Sequence, residues 1–75
     1  MINNKIKSLL TLKGYNFSRY AEYMGITKQS LNNKANREAY KITDLIKLGE
    51  LTNTQLAFID ENNKPGVVFD KEDLQ

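Results

Sequence analysis

From Met1 to about Thr52 the apolar positions recur at helical spacing, and from Thr54 the period changes. Ile2, Ile6, Leu9 and Leu10 stand at i, i+4, i+7 and i+8, one stripe of a helix, with Lys5, Lys7 and Lys13 on its other faces. This predicts a helix over about 2–13 with Ile6, Leu9 and Leu10 in the core. Gly14 ends it, because glycine accepts the left-handed conformation common just past a helix end. Phe17, Tyr20, Ala21 and Met24 repeat the spacing and predict a second helix over 17–24. Asn16 is its expected cap, since its side-chain oxygen can accept a hydrogen bond from an amide that the first turn leaves unpaired. Gly25 offers a left-handed turn residue, Ile26 is expected beneath the turn, and Thr27 is placed to cap the next helix.

The third helix, over about 27–35, has a different character. Its apolar residues are Leu31 and Ala35, one turn apart, while Gln29, Asn32, Asn33 and Asn36 fall at i, i+3, i+4 and i+7 on the far side. Asparagine costs up to roughly 0.7 kcal/mol relative to alanine in a helix, so three asparagines and a glutamine on one stripe favour hydrogen-bonding pattern over helix stability. A short loop, Arg37 to Lys41, leads to a fourth helix over about 43–52, capped by Thr43, with Asp44 against its positive start. Ile42, Leu45, Ile46, Leu48 and Leu51 supply its apolar face, and Gly49 is expected to mark close packing against another helix.

Beyond it, TQLAFID and VVF are strand-forming runs separated by the turn residues ENNKPG. A turn at Asn62 and Asn63 pairs Phe58 with Val67 and Leu56 with Phe69, a hairpin over about 54–69 with one consistently apolar face. The acidic residues 70–75 are expected to be frayed. The whole is a mainly α, compact four-helix domain with a C-terminal β-hairpin, one domain over residues 1–75.

Composition narrows the chemistry. The chain has no Cys and no His, which removes disulfides, thiolate nucleophiles, imidazole bases and the zinc sites built on those ligands. No enzyme, cofactor or metal is expected. Apolar runs are short, so no membrane span or signal core is expected, and a cytoplasmic location follows from that reading. The net charge of +2 divides unevenly. Nine Lys and Arg face three acids from Met1 to Gly49, giving +6; two Lys face six acids from Glu50 onward, giving −4. Such asymmetry suits a first part that meets a polyanion and a second part kept away from it.

The string AEYMGITKQSLNN resembles the helix-turn-helix of the phage repressor and Cro-like family, with Ala21, Gly25, Ile26, Thr27 and Leu31 in register. The resemblance covers roughly Ile2 to Leu51 and implies a lambda-repressor-like helix-turn-helix fold. It also implies that Lys28, Gln29, Asn32 and Asn33 read base edges in a DNA major groove. Asn and Gln suit adenine N6 and N7, and Lys suits guanine O6 and N7. The same resemblance implies that Asn16, Ser18, Thr27, Asn36 and Arg37 meet the DNA backbone, and Arg19 and Lys41 can add phosphate attraction. The hairpin is similar to that of the Cro branch, where C-terminal strands help form the dimer, which makes Leu56, Phe58, Val67 and Phe69 the expected dimer interface. Three positions depart from the pattern: Phe17 stands where the family often has a phosphate-binding Gln, Lys34 where it often has an apolar residue, and Arg37 where it usually has Gly.

The expected function is sequence-specific binding of double-stranded DNA by a homodimer, as a Cro-like transcriptional repressor of a phage, prophage or mobile element, on a pseudo-palindromic operator. The alternative is a module of the same fold that binds another protein, such as an inhibitor encoded by a mobile element. Modest net charge and the missing Gln favour the alternative; the basic first part and the amide-rich third helix favour DNA.

Overall fold

The computed structural model describes residues 1–74, in which the apolar stripes become four helices, α1 (Ile2–Leu12), α2 (Phe17–Met24), α3 (Lys28–Asn36) and α4 (Ile42–Thr52). Antiparallel strands β1 (Leu56–Ile59) and β2 (Pro65–Phe69) follow, then a short 3-10 helix, Lys71–Leu74. The radius of gyration is 12.5 Å, near the roughly 11 Å of a compact chain of this length.

One core joins all four helices: Ile6 and Leu10 from α1, Phe17, Tyr20 and Ala21 from α2, Leu31 and Ala35 from α3, Leu48 and Leu51 from α4. Leu10, Tyr20 and Leu31 are almost completely buried, and each such side chain contributes roughly 1.5–3 kcal/mol by leaving water. Leu9, Met24, Ile26 and Leu45 are half-buried against this cluster. Ile26 therefore borders the core rather than lying fully beneath the turn, and Ile42, expected on the apolar face, is 51% exposed because it opens α4 where the chain turns outward.

All four helices stop in the same way. After each, a left-handed residue lets two amides return to the last-turn carbonyls: Gly14 and Tyr15 to Thr11 and Leu10, Gly25 and Ile26 to Glu22 and Ala21, Glu38 and Ala39 to Ala35 and Lys34, Asn53 and Thr54 to Glu50 and Gly49. This closure satisfies carbonyls that a helix end would otherwise leave unpaired. Glycine at two of the four positions makes the stop legible in sequence; Glu38, at φ 50°, does not advertise it.

Two features of α4 differ from expectation. Its cap residue is Lys41, not Thr43, and the Asp44 carboxylate reaches back to the Lys41 amide at 2.8 Å. The lysine side chain has no acceptor to offer in return, so the acid alone closes this end. Gly49 is approached not by another helix but by the chain leaving α4, where a β-carbon at 49 would stand 3.1 Å from the Thr54 carbonyl oxygen.

The hairpin pairs Leu56 with Phe69 and Phe58 with Val67, the register expected. Beyond Phe58 the register slips by one, Ile59 facing Pro65, and the turn spans Asp60 to Lys64 with Asn63 left-handed. The Asp60 carboxylate accepts the Asn62 and Lys64 amides at 2.8 and 3.1 Å; this side-chain anchor displaces the simple two-residue turn. Residues 71–74, expected to be frayed, instead form the 3-10 helix packed on α4, because the Asp73 carboxylate accepts the Asp70 amide and the Asp70 carboxylate accepts the Glu72 amide. Gln75 lies outside the described residues.

Glu38→Gly is expected to raise stability by about 1 kcal/mol, the strain a side chain suffers in the left-handed region, read as a higher urea midpoint with unchanged slope.

Candidate nucleic-acid interface

Helix α3 is placed by its two ends and its two apolar residues. At the start the Thr27 hydroxyl accepts the Ser30 amide at 3.0 Å, and Gly25, left-handed at φ 75°, sets the angle between α2 and α3. Leu31 (0% exposed) and Ala35 (5%) fix the inward face. At about 100° per residue, Gln29, Asn33 and Asn36 therefore point away from the core, with Asn32 on the flank. Gln29, Asn32, Asn33 and Asn36 all retain contact with solvent. Lys28 shares the stripe of Leu31 and Ala35 and stays exposed at the first turn, so it borders the amide stripe rather than belonging to it.

A second face of the helix carries the charge. Ser30, Asn33, Lys34 and Arg37 recur at i, i+3, i+4 and i+7, and with Ala39 and Lys41 they line a hollow of about 340 Å³ between α3 and the start of α4. Three basic side chains and two polar ones converging on one concavity suit an oxyanion, which Arg binds as a planar fork and Lys as a point charge. Arg37 and Lys41 are the two residues expected at phosphate; Ser30 and Lys34 are additions, although their spacing with Asn33 and Arg37 is readable in the sequence. Asn33, assigned to base edges, stands on both the amide stripe and the rim of this hollow. Asn36 is not part of it: with Arg37 and Glu38 it lines a separate hollow of about 310 Å³ against Met1, Asn3 and Asn4 at the start of α1.

The other expected phosphate residues are more committed to their own backbone. Asn16 accepts the Arg19 amide at 2.9 Å, leaving its amide nitrogen to donate outward. The Arg19 guanidinium pairs with Glu22 in the same helix, and Thr27 spends its hydroxyl on Ser30. Ser18 is exposed on the first turn of α2.

Behind the hollow lies the residue that holds it together. Lys34 Nζ donates to Asp44 at 3.1 Å, the same carboxylate oxygen that accepts the Lys41 amide. The Asp44 backbone carbonyl accepts the Tyr20 hydroxyl at 2.7 Å. Burial, reinforced by the nearby Asp44 carboxylate, pushes the Tyr20 hydroxyl far above its ordinary range, so it serves as a fixed donor. Tyr40, raised for the same two reasons, closes the α1 side by donating to Asn3 at 3.3 Å.

The four residues expected at the dimer interface divide. Leu56 and Phe69 are half-buried against their own chain, whereas Phe58 is 72% and Val67 54% exposed. Ile59 and Val68, on the opposite face of the hairpin, are exposed too. No helix among the described residues is long and apolar enough to cross a membrane.

Asp44→Ala is expected to lower stability by about 2 kcal/mol, since it orphans a buried hydrogen-bond network at its centre; Asp44→Asn, which still accepts the Lys41 amide, should lose less. A double-mutant cycle with Lys34→Met, followed by urea unfolding, isolates the Lys34 contribution.

No protein family, no curated protein and no solved structure was found to match this chain.

Proposed function

We propose that the protein is a helix-turn-helix, sequence-specific binder of double-stranded DNA, acting as a Cro-like transcriptional repressor. The observation that carries this reading is the division of α3. Leu31 and Ala35 lock one side into the core, Gln29 and Asn33 stand exposed opposite with Asn32 exposed on the flank, and the Lys34, Arg37 and Lys41 hollow lies beside them. An amide stripe suits adenine edges, and an adjoining basic hollow suits the phosphate that fixes the helix in register. Base reading is assigned to Gln29, Asn32 and Asn33 with Lys28 at the edge; backbone holding is assigned to Arg37 and Lys41 with Ser18, Asn16, Arg19, Thr27 and Asn36 around them.

A homodimer is part of the proposal. Phe58, Ile59, Val67 and Val68 leave the outer hairpin apolar on both faces, and β1, whose sequence LAFI carries neither charge nor Pro, has the features of an unprotected edge. Pairing there sets two α3 helices on one duplex, roughly 34 Å apart for successive major grooves. The same exposed tip favours a second reading, a module of this fold that docks on another protein.

Selection from randomised duplexes is expected to enrich a pseudo-palindromic site. Gln29→Ala and Asn33→Ala should then each cost about 1–3 kcal/mol at one position of that site, whereas Arg37→Ala should weaken binding to all sequences and flatten its salt dependence. No enrichment, together with no mobility shift at low salt, rules the DNA reading out. Light scattering at micromolar concentration should give a dimer, converted to monomer by Phe58→Asp; a monomeric wild type rules out the operator geometry.

A further inference from the structure

At the α1–α2 junction a lysine ammonium is seated on an aromatic ring. Lys7 Nζ stands 5.2 Å from the centre of the Phe17 ring, over its face. Phe17 is the first residue of α2 and is buried, edge-on to Tyr20 at a centroid distance of 6.5 Å. With Leu10, Thr11, Tyr15 and Asn16, the pair lines an open hollow of about 210 Å³. Its lining is mainly apolar, with Lys7, Thr11 and Asn16 as its polar aliphatic residues.

The electrostatics here are one-sided. Among the described residues the ion pairs are Arg19 with Glu22 and Lys34 with Asp44, so no carboxylate is within pairing distance of Lys7. Helix α1 contains no acid, and the first turn of α2 contains none either. A lysine ammonium beside the start of a helix meets the positive end of its dipole, and the negative face of the ring offsets that repulsion. The arrangement places a positive charge, with no described acid in pairing range, beside the exposed polar residues Thr11 and Asn16.

We infer that Lys7, seated on Phe17, holds one backbone phosphate of the bound duplex at the start of α2. The inference rests on the DNA-binding proposal and extends it to a residue that proposal does not use. It also gives Phe17 a role: the ring neither donates nor accepts, yet it positions the group that does. A ring with only a covering function needs the lysine's aliphatic stem and is indifferent to its charge, which separates the two roles experimentally.

Lys7→Met keeps the stem and removes the charge. With a mixed-sequence duplex followed by fluorescence anisotropy, the slope of log K against log salt concentration should become shallower by about 0.9, with an affinity loss of about tenfold at low salt. Lys7→Arg should retain the wild-type slope, and Lys64→Met, in the hairpin turn, should leave it unchanged. Circular dichroism melting checks that each variant is folded, and Lys7→Gln replaces Lys7→Met should the latter not fold. A wild type that binds DNA while Lys7→Met keeps its slope overturns the inference and leaves the DNA proposal standing. An equal loss from Lys64→Met overturns it too, since any positive charge would then serve. A wild type that binds no duplex overturns both.

Discussion

Three helices are referred to one another through Asp44. Its carboxylate holds the Lys34 ammonium of α3 and the Lys41 amide at the entry to α4, while its own carbonyl receives the Tyr20 hydroxyl of α2. A carboxylate this buried costs free energy unless it is hydrogen-bonded, and here the ammonium and the amide at the helix start both bond one of its oxygens, Oδ2. The apolar core leaves more freedom than this: Leu31 and Ala35 hold α3 down, but two contacts one turn apart permit the helix to roll. The Lys34 contact, on a third line along the helix, opposes that rotation. Since the exposed amides ride on the same cylinder, the direction in which Gln29 and Asn33 face is set partly from behind.

The same contact shapes the charge of the surface. Lys34 spends part of its charge on Asp44, so the hollow it lines is positive chiefly through Arg37 and Lys41. Many of the acids sit in the far part of the chain, in the hairpin turn and the last helix, where Asp60, Asp70 and Asp73 are occupied in capping backbone amides. Those carboxylates serve local structure as well as charge separation, which explains why residues 70–74 are folded. Composition alone predicts repulsion and fraying there, because it cannot register side-chain capping two or three residues away.

Much of the fold is legible in the sequence because its signals are local. Helical stripes, the left-handed glycines at 14 and 25, the caps at Asn16 and Thr27 and the Phe58–Val67 register all depend on residues within a few positions of each other or on a short turn. The remainder depends on partners distant in sequence or on backbone that any residue can adopt under pressure. Thr43 is a cap by residue type, but the helix starts after Lys41, two positions earlier, where the Asp44 carboxylate takes the Lys41 amide, and only the packed geometry decides between them. Lys34 breaks the apolar pattern of α3, and its partner lies ten residues away. Ser30, Asn33, Lys34 and Arg37 are written at helical spacing too, yet spacing alone does not distinguish a polar stripe on open surface from one that borders a hollow. The distinction is made by where α4 begins, which brings Ala39 and Lys41 to the same rim.

Three positions differ from the repressor-like pattern that the sequence resembles: 37, 34 and 17. Glycine is usual after the third helix because some residue there must turn left-handed. In this chain Arg37 is right-handed at φ −93° and Glu38 takes the strained position, so the stop survives and a cation is gained where glycine offers none. At position 34 an apolar contact is exchanged for an ion pair that still ties α3 to α4. At position 17 a buried ring carries the Lys7 ammonium over its face. At positions 37 and 34 the side chain differs from the one the pattern places there, yet the end of α3 stays closed and α3 stays tied to α4.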